Sequence, residues 1–243
     1  MFCDSLLNDA DWLKRYACNA QGTVVPDEVI REHIASRQPM RTYETRSLAV
    51  VPYFESALYA MPDAERTPDA VLALARATEV RVIGFESPRP LLAIPHLLNQ
   101  ESAASYQGYL LAEMAVSQTR AFFLRRDGYL TDNPAIGPAL TQHYWAPGNS
   151  LDHDATLRSL TGEGFAARYL AADCNRSVDE AWAEAQASMA AAATRPRASE
   201  AASLDATIRI VHGAELLTDS SRGEAGMCTQ FEAWVAAHYP ATT

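Results

Sequence analysis

Three side chains able to grip a polarised oxygen fall within the nineteen residues PHLLNQESAASYQGYLLAE, 95–113: His96, Tyr106 and Tyr109. Two tyrosines spaced i,i+3 on a helix project to the same side, and a phenol donates a strong hydrogen bond to an oxygen that is gaining negative charge. A histidine in the loop before such a helix can converge on the same point. Gly108, between the two phenols, has no side chain to keep a ligand or a neighbouring helix away. The same pattern also suits a half-buried aromatic seam with His96 as a local cap, so the chemistry depends on the elements that present these groups.

Those elements read as helix after helix. The spacing predicts a long helix over about 100–126, with Tyr106, Tyr109, Glu113, Ser117 and Arg120 on one face and Leu110, Met114 and Ala121 beside them. Upstream, Asp11 is placed to cap WLKRYACNA, and Pro26 with Asp27 and Glu28 opens a helix that carries Val29, Ile30, His33 and Ile34. Residues 40–60 keep Val51, Phe54 and Leu58 in helical register, with Pro52 expected to bend that helix or mark its start. Thr67-Pro68-Asp69 is a cap and first turn, and SPRP at 87–90 breaks the chain. After the turn-rich stretch 125–138, Ser150 is placed to cap a short helix ending near Thr161-Gly162. Ser177 and Glu180 fit a capping box. VRVIGF at 80–85 is a candidate strand, LDATIRIVHG at 204–213 suits either helix or strand, and MCTQFEAWVAAHY ends the chain as a helix. The fold class is therefore mainly α, with a helical body over 1–194, a linker at 195–203 and a small, mostly helical extension at 204–243.

Bulk properties narrow the function classes. A chain of 243 residues with 48% apolar side chains can bury a sizeable core. A formal charge of -10 argues against nucleic acid as a partner, because phosphate binding needs a basic face. The four cysteines, Cys3, Cys18, Cys174 and Cys228, form no C-x-x-C pair and suit free thiols in a reducing compartment. No stretch approaches the roughly 18 apolar residues of a membrane span, and no basic segment followed by an apolar run opens the chain, so the expectation is a cytoplasmic protein with no membrane partner. Asn175-Arg176-Ser177 matches a glycosylation acceptor only at the level of three residues.

No H-E-x-x-H, G-x-S-x-G, G-x-G-x-x-G or P-loop occurs. The histidines at 33, 96, 143, 153, 212 and 238 never take the i,i+4 spacing that sets two imidazoles on one helical face, so no metal ligand is assigned. Trp145 beside Pro147-Gly148 reads as a packed loop anchor. Arg120, Arg125 and Arg126 read as a solvated helix face, although they could assist a peptide carboxylate. Glu101 and Glu113 are not assigned to a metal.

The ordered elements MFCDSLLNDADWLKRYA, PHLLNQESAASYQGYLLAEMAVSQTRAFFL, YLTDNPAIGPALTQHYWAPGNS and LTGEGF, spanning residues 1–165, resemble the carboxyl-terminal half of zinc oligopeptidases of the thimet oligopeptidase and oligoendopeptidase family. That resemblance implies a two-lobed, channel-type enzyme whose zinc is held by an H-E-x-x-H helix and a glutamate on the next helix. It implies that His96, Tyr106 and Tyr109 bind substrate backbone and stabilise the oxyanion, with Gly108 beside them. Two departures accompany it: the loop from His96 to Tyr106 is one residue longer than the thimet pattern, and Gln107 replaces a second aromatic. The zinc-bearing helices lie upstream in the family, which makes Met1 an expected internal methionine of a longer frame.

The function so implied is peptide-bond hydrolysis of short peptides, with zinc in the complete enzyme and none bound by this chain alone. The implied partners are short peptides and a zinc-bearing half, in the same or a separate chain. The isolated chain is expected to be inactive. The alternative is a metal-free helical peptide-binding or interaction protein derived from that fold.

Overall fold

A computed structural model describes residues 2–87, 91–196 and 206–239 of the chain. The fold is mostly helical and divides into two compact units, Met1–Ala198 and Ser199–Thr243. From residue 197 the expected linker lies outside the described residues, as does the SPRP break from residue 88.

The first unit contains α1 (Phe2–Ser5), α2 (Ala10–Tyr16), α3 (Asp27–Arg37), α4 (Arg41–Ala60), α5 (Pro68–Val82), α6 (Gln107–Asp127), α7 (Ile136–Leu140), α8 (His153–Thr161), α9 (Arg168–Asn175) and α10 (Val178–Ala191). Two apolar clusters organise it. In the first, Val50, Val51 and Phe54 of α4 meet Ala75 of α5, Ile83, Leu91 and Ile94, and the partly buried ring of Tyr106 packs on their edge. In the second, Phe123 of α6 meets Leu130, Ile136, Leu140 and Leu160. Full burial of one such large side chain contributes about 1.5–3 kcal/mol. The fully buried Phe54 and Phe123 therefore anchor the two helices nearest the candidate site.

Local chemistry sets the starts of α5 and α10 where the residue types predict them. Thr67 accepts the Ala70 N–H at the start of α5, and Ser177 and Glu180 exchange both bonds of the capping box at α10. Five expectations are corrected. Asp9 rather than Asp11 precedes α2, which ends at Tyr16, while Asp11 turns inward and accepts from Arg195 at 3.3 Å. Asp152 rather than Ser150 caps α8 by accepting the Ala155 N–H. Of the two roles expected of Pro52, that of helix start is ruled out, because α4 begins at Arg41 and runs through it. The candidate strand at 80–85 is instead the last turn of α5, through Val82, and the turn after it, with Val82 and Ile83 packed on the α4 cluster. Finally, α6 begins at Gln107 and not near 100, because Ala104 takes the left-handed conformation at φ 58° and the preceding residues fold as turns.

The second unit pairs β1 (Arg209–His212) antiparallel with β2 (Glu215–Asp219), followed by α11 (Glu224–His238). The ambiguous segment 204–213 thus supplies a strand. Gly213 at φ 60° provides the positive-φ position of its turn. No helix among the described residues is long and apolar enough to cross a membrane, and Cys3, Cys18, Cys174 and Cys228 are free thiols.

Candidate functional site

The three predicted side chains come together. His96 sits in a one-turn 3-10 helix, Pro95–Leu97, flanked by the buried Ile94 and the partly buried Leu97, so the apolar residues on either side pin the turn to the core. Its Nε2 lies 3.1 Å from Tyr109 Oη. The ring of Tyr106 meets His96 edge-on at 5.2 Å between centroids, and the two phenol rings are 5.0 Å apart. Tyr106 is half-buried against the core, whereas Tyr109 is 44% exposed and has its hydroxyl in reach of a ligand. Gly108 is exposed, and a side-chain carbon built there would meet no atom within 4 Å, so the space above the first turn of α6 is open.

Two buried carboxylates that sequence reading did not single out set this geometry. Glu55 on α4, 3% exposed, accepts the Ala104 N–H at 2.7 Å and so fixes the left-handed residue from which the chain enters Tyr106. Glu79 on α5 accepts the N–H groups of Leu91 at 3.0 Å and Ser87 at 3.3 Å, tying down the segment that leads to His96. Between them, Asn99 closes an Asx turn on Glu101 N at 3.0 Å and its carbonyl accepts from Ala103 N at 2.8 Å. A signal for both glutamates was present: Glu79 stands between Ala75 and Ile83 at i,i+4 spacing, and Glu55 one turn after Val51, in rows that are otherwise apolar.

The rest of the predicted face leaves the site. Glu113 approaches Arg41 at 3.9 Å, Ser117 donates to Asp173 at 3.1 Å, and Arg120 is held by Asp9 and Ser5. The solvated reading of Arg120 is therefore corrected: it is a packed ion pair that joins α6 to the N-terminal helices. Burial raises the Asp9 carboxyl above its ordinary value even though Arg120 pulls it down. Arg125 lies over Tyr169 and Arg126 pairs with Asp127, which the Arg126 bond holds below the usual carboxylate range. Trp145, expected as a packed anchor, is 62% exposed. Glu101 is exposed beside the Asx turn.

No protein-family model and no curated protein matches the chain. Among the described residues, no group of three His, Cys, Asp or Glu side chains is disposed to hold a metal ion. His96 is engaged by two tyrosines, and His143 and His33 by Ser159 and Asn8, at 3.2 Å and 3.4 Å. The described residues thus do not fit a zinc centre by themselves. What they can do is offer a phenol and an imidazole, mutually oriented, to an uncharged or developing oxygen.

Proposed function

We propose that this chain binds short peptides over His96, Tyr106 and Tyr109, and that this surface is the substrate-binding and oxyanion-stabilising wall of a zinc-dependent oligopeptidase related to the thimet oligopeptidase and oligoendopeptidase family. The supporting observation is the 3.1 Å approach of His96 Nε2 to an exposed Tyr109 hydroxyl, with Tyr106 against both rings. In this reading Tyr109 donates to a peptide carbonyl oxygen, His96 fixes the phenol's direction, Tyr106 forms the floor, and Gly108 clears room for backbone. The helical unit takes the place of the carboxyl-terminal half of a two-lobed, channel-type fold. The metal ligands come from a zinc-bearing segment, either in the same chain or in a separate one.

A second reading, a metal-free helical peptide-binding or interaction protein derived from that fold, is favoured by the absence of any metal-ligand trio among the described residues. Both readings require peptide binding at the same cluster, and they part at hydrolysis. Recovering the endogenous protein with an antibody and measuring its intact mass and zinc content separates them. A mass well above 26.5 kDa, or a co-purifying chain, together with bound zinc and peptide hydrolysis supports the peptidase. A chain near 26.5 kDa without zinc that still binds peptide supports the binding protein. Absence of peptide binding in every form overturns both.

A further inference from the structure

The first unit holds a cavity of about 430 Å³ lined in part by Tyr106, within the range of about 300–1,000 Å³ common for small-ligand sites. Its floor is apolar and buried: Val50, Ile83, Leu91 and Ile94. Its rim is charged in both signs, by Arg37 and Arg41 on one hand and Glu44 and Glu113 on the other. These rim groups approach one another only at 3.7 Å for Arg41 to Glu44, 3.9 Å for Arg41 to Glu113 and 3.9 Å for Arg37 to Glu44. Such separations are too long for hydrogen bonds, so the guanidinium donors are steered by the glutamates without being consumed by them. Arg41 is the more enclosed of the two cations, with its side chain 25% exposed. On the wall, Ser47 Oγ is buried and has no hydrogen-bond partner among the described residues. Glu79, which also lines the cavity, is committed to the Leu91 and Ser87 N–H groups and is not available to a ligand cation.

We infer that this cavity receives the carboxyl-terminal residue of a short peptide whose last side chain is apolar, a specificity that rests on the proposed peptide-binding role of the neighbouring cluster. Such a residue carries both complements of the rim within a few atoms. Its carboxylate pairs with the planar donor fork of Arg41, its backbone N–H is offered to a rim glutamate, and its side chain replaces water on the apolar floor. A free amino-terminal residue suits the site less well, because its ammonium would need the glutamates without using the arginine fork. Tyr106 joins the two places: it lines the cavity, and its ring meets those of His96 and Tyr109. A peptide anchored by its last residue would thereby have its preceding backbone laid across the phenol and imidazole.

The test is a calorimetric or NMR titration of the full chain with acetyl-Ala-Ala-Leu and with its carboxamide. The free acid is expected to bind about tenfold or more tightly than the amide, the loss expected for one charge-assisted hydrogen bond. That preference should vanish in Arg41→Gln and persist in Tyr109→Phe. Equal binding of acid and amide by the unmodified chain overturns the carboxylate site while leaving the peptide-binding cluster standing. Binding of neither peptide overturns both. Because the acid–amide comparison uses the unmodified chain, a variant that fails to fold does not blunt it.

Discussion

The backbone N–H of Ala104 donates to Glu55 Oε1 at 2.7 Å from a residue held at φ 58°. This bond joins a core carboxylate on α4 to the last turn before Tyr106, so the site's geometry depends on a residue that contributes no atom to the site surface. The second oxygen, Oε2, is buried with no hydrogen-bond partner among the described residues. Glu55→Ala removes the acceptor and should destabilise the first unit by about 0.5–1.5 kcal/mol, the net contribution of one intramolecular hydrogen bond, since the exposed Ala104 can turn its N–H to water. Glu55→Gln keeps an acceptor and should retain the site. Urea unfolding measures the first effect, and the coupling of the His96 and Tyr109 ring signals the second. Unchanged ring signals in a folded Glu55→Ala protein would detach this residue from the site.

Tyr109→Phe deletes only the hydroxyl, which is exposed and bonded to His96. Stability should stay within about 0.5 kcal/mol, as for surface substitutions generally. Peptide affinity should fall, and in a zinc-bearing enzyme that contains this wall, turnover should drop about 100-fold or more with zinc content unchanged, the usual effect of losing one oxyanion donor. Unaltered turnover in such an enzyme would remove Tyr109 from the chemistry.

The elements legible in the sequence were those encoded locally. Thr67 and Ser177 announce their helices because a capping side chain acts within three residues, and Val51 and Phe54 announce a buried face by their spacing. The pair Tyr106–Tyr109 was legible for the same reason. The register of Tyr106 was not: it stands at the end of a turn rather than inside α6, and the cause is the bond from Ala104 to Glu55, 49 residues before Ala104. Arg120 misled in a similar way. An arginine on a polar helix face looks solvated until Asp9, 111 residues away, is folded against it. The short β2 carries little pattern of its own and becomes a strand through its partner β1.

Gln118 shows the same long-range dependence and gives a direct test. It is fully buried in α6, donates to Thr161 Oγ1 and to the carbonyls of Glu163 and Gly164 at 2.9–3.1 Å, and accepts the Ala166 N–H at 3.1 Å. One amide therefore satisfies the turn that follows α8. Gln118→Ala should cost about 2–4 kcal/mol through the lost partners of the Gly164 carbonyl and the Ala166 N–H and a small cavity. Gln118→Glu should be worse, since it would place a carboxylate against two carbonyl oxygens. Chemical denaturation of both variants checks the order, and a neutral Gln118→Ala would show that water replaces the clamp.

Asp9 and Asp127 should pull the pH dependence of stability in opposite directions. Burial raises the Asp9 carboxyl in the folded chain, so the fold binds a proton that the unfolded chain has released, and stability falls as pH rises above 3.8. The Arg126 bond, followed by that from Asn133, lowers Asp127, so its contribution is complete above 3.8 and is lost as pH falls through the lower folded value. Asp9→Asn should therefore remove a loss of stability on the alkaline side of 3.8, and Asp127→Asn should flatten the acid limb below it. Urea midpoints for the parent and both variants, taken in half-unit steps from pH 2.5 to about 6, resolve the two windows, which flank the ordinary aspartate range. Difference curves of the same sign for the two variants would mean that Arg120, rather than burial, controls Asp9.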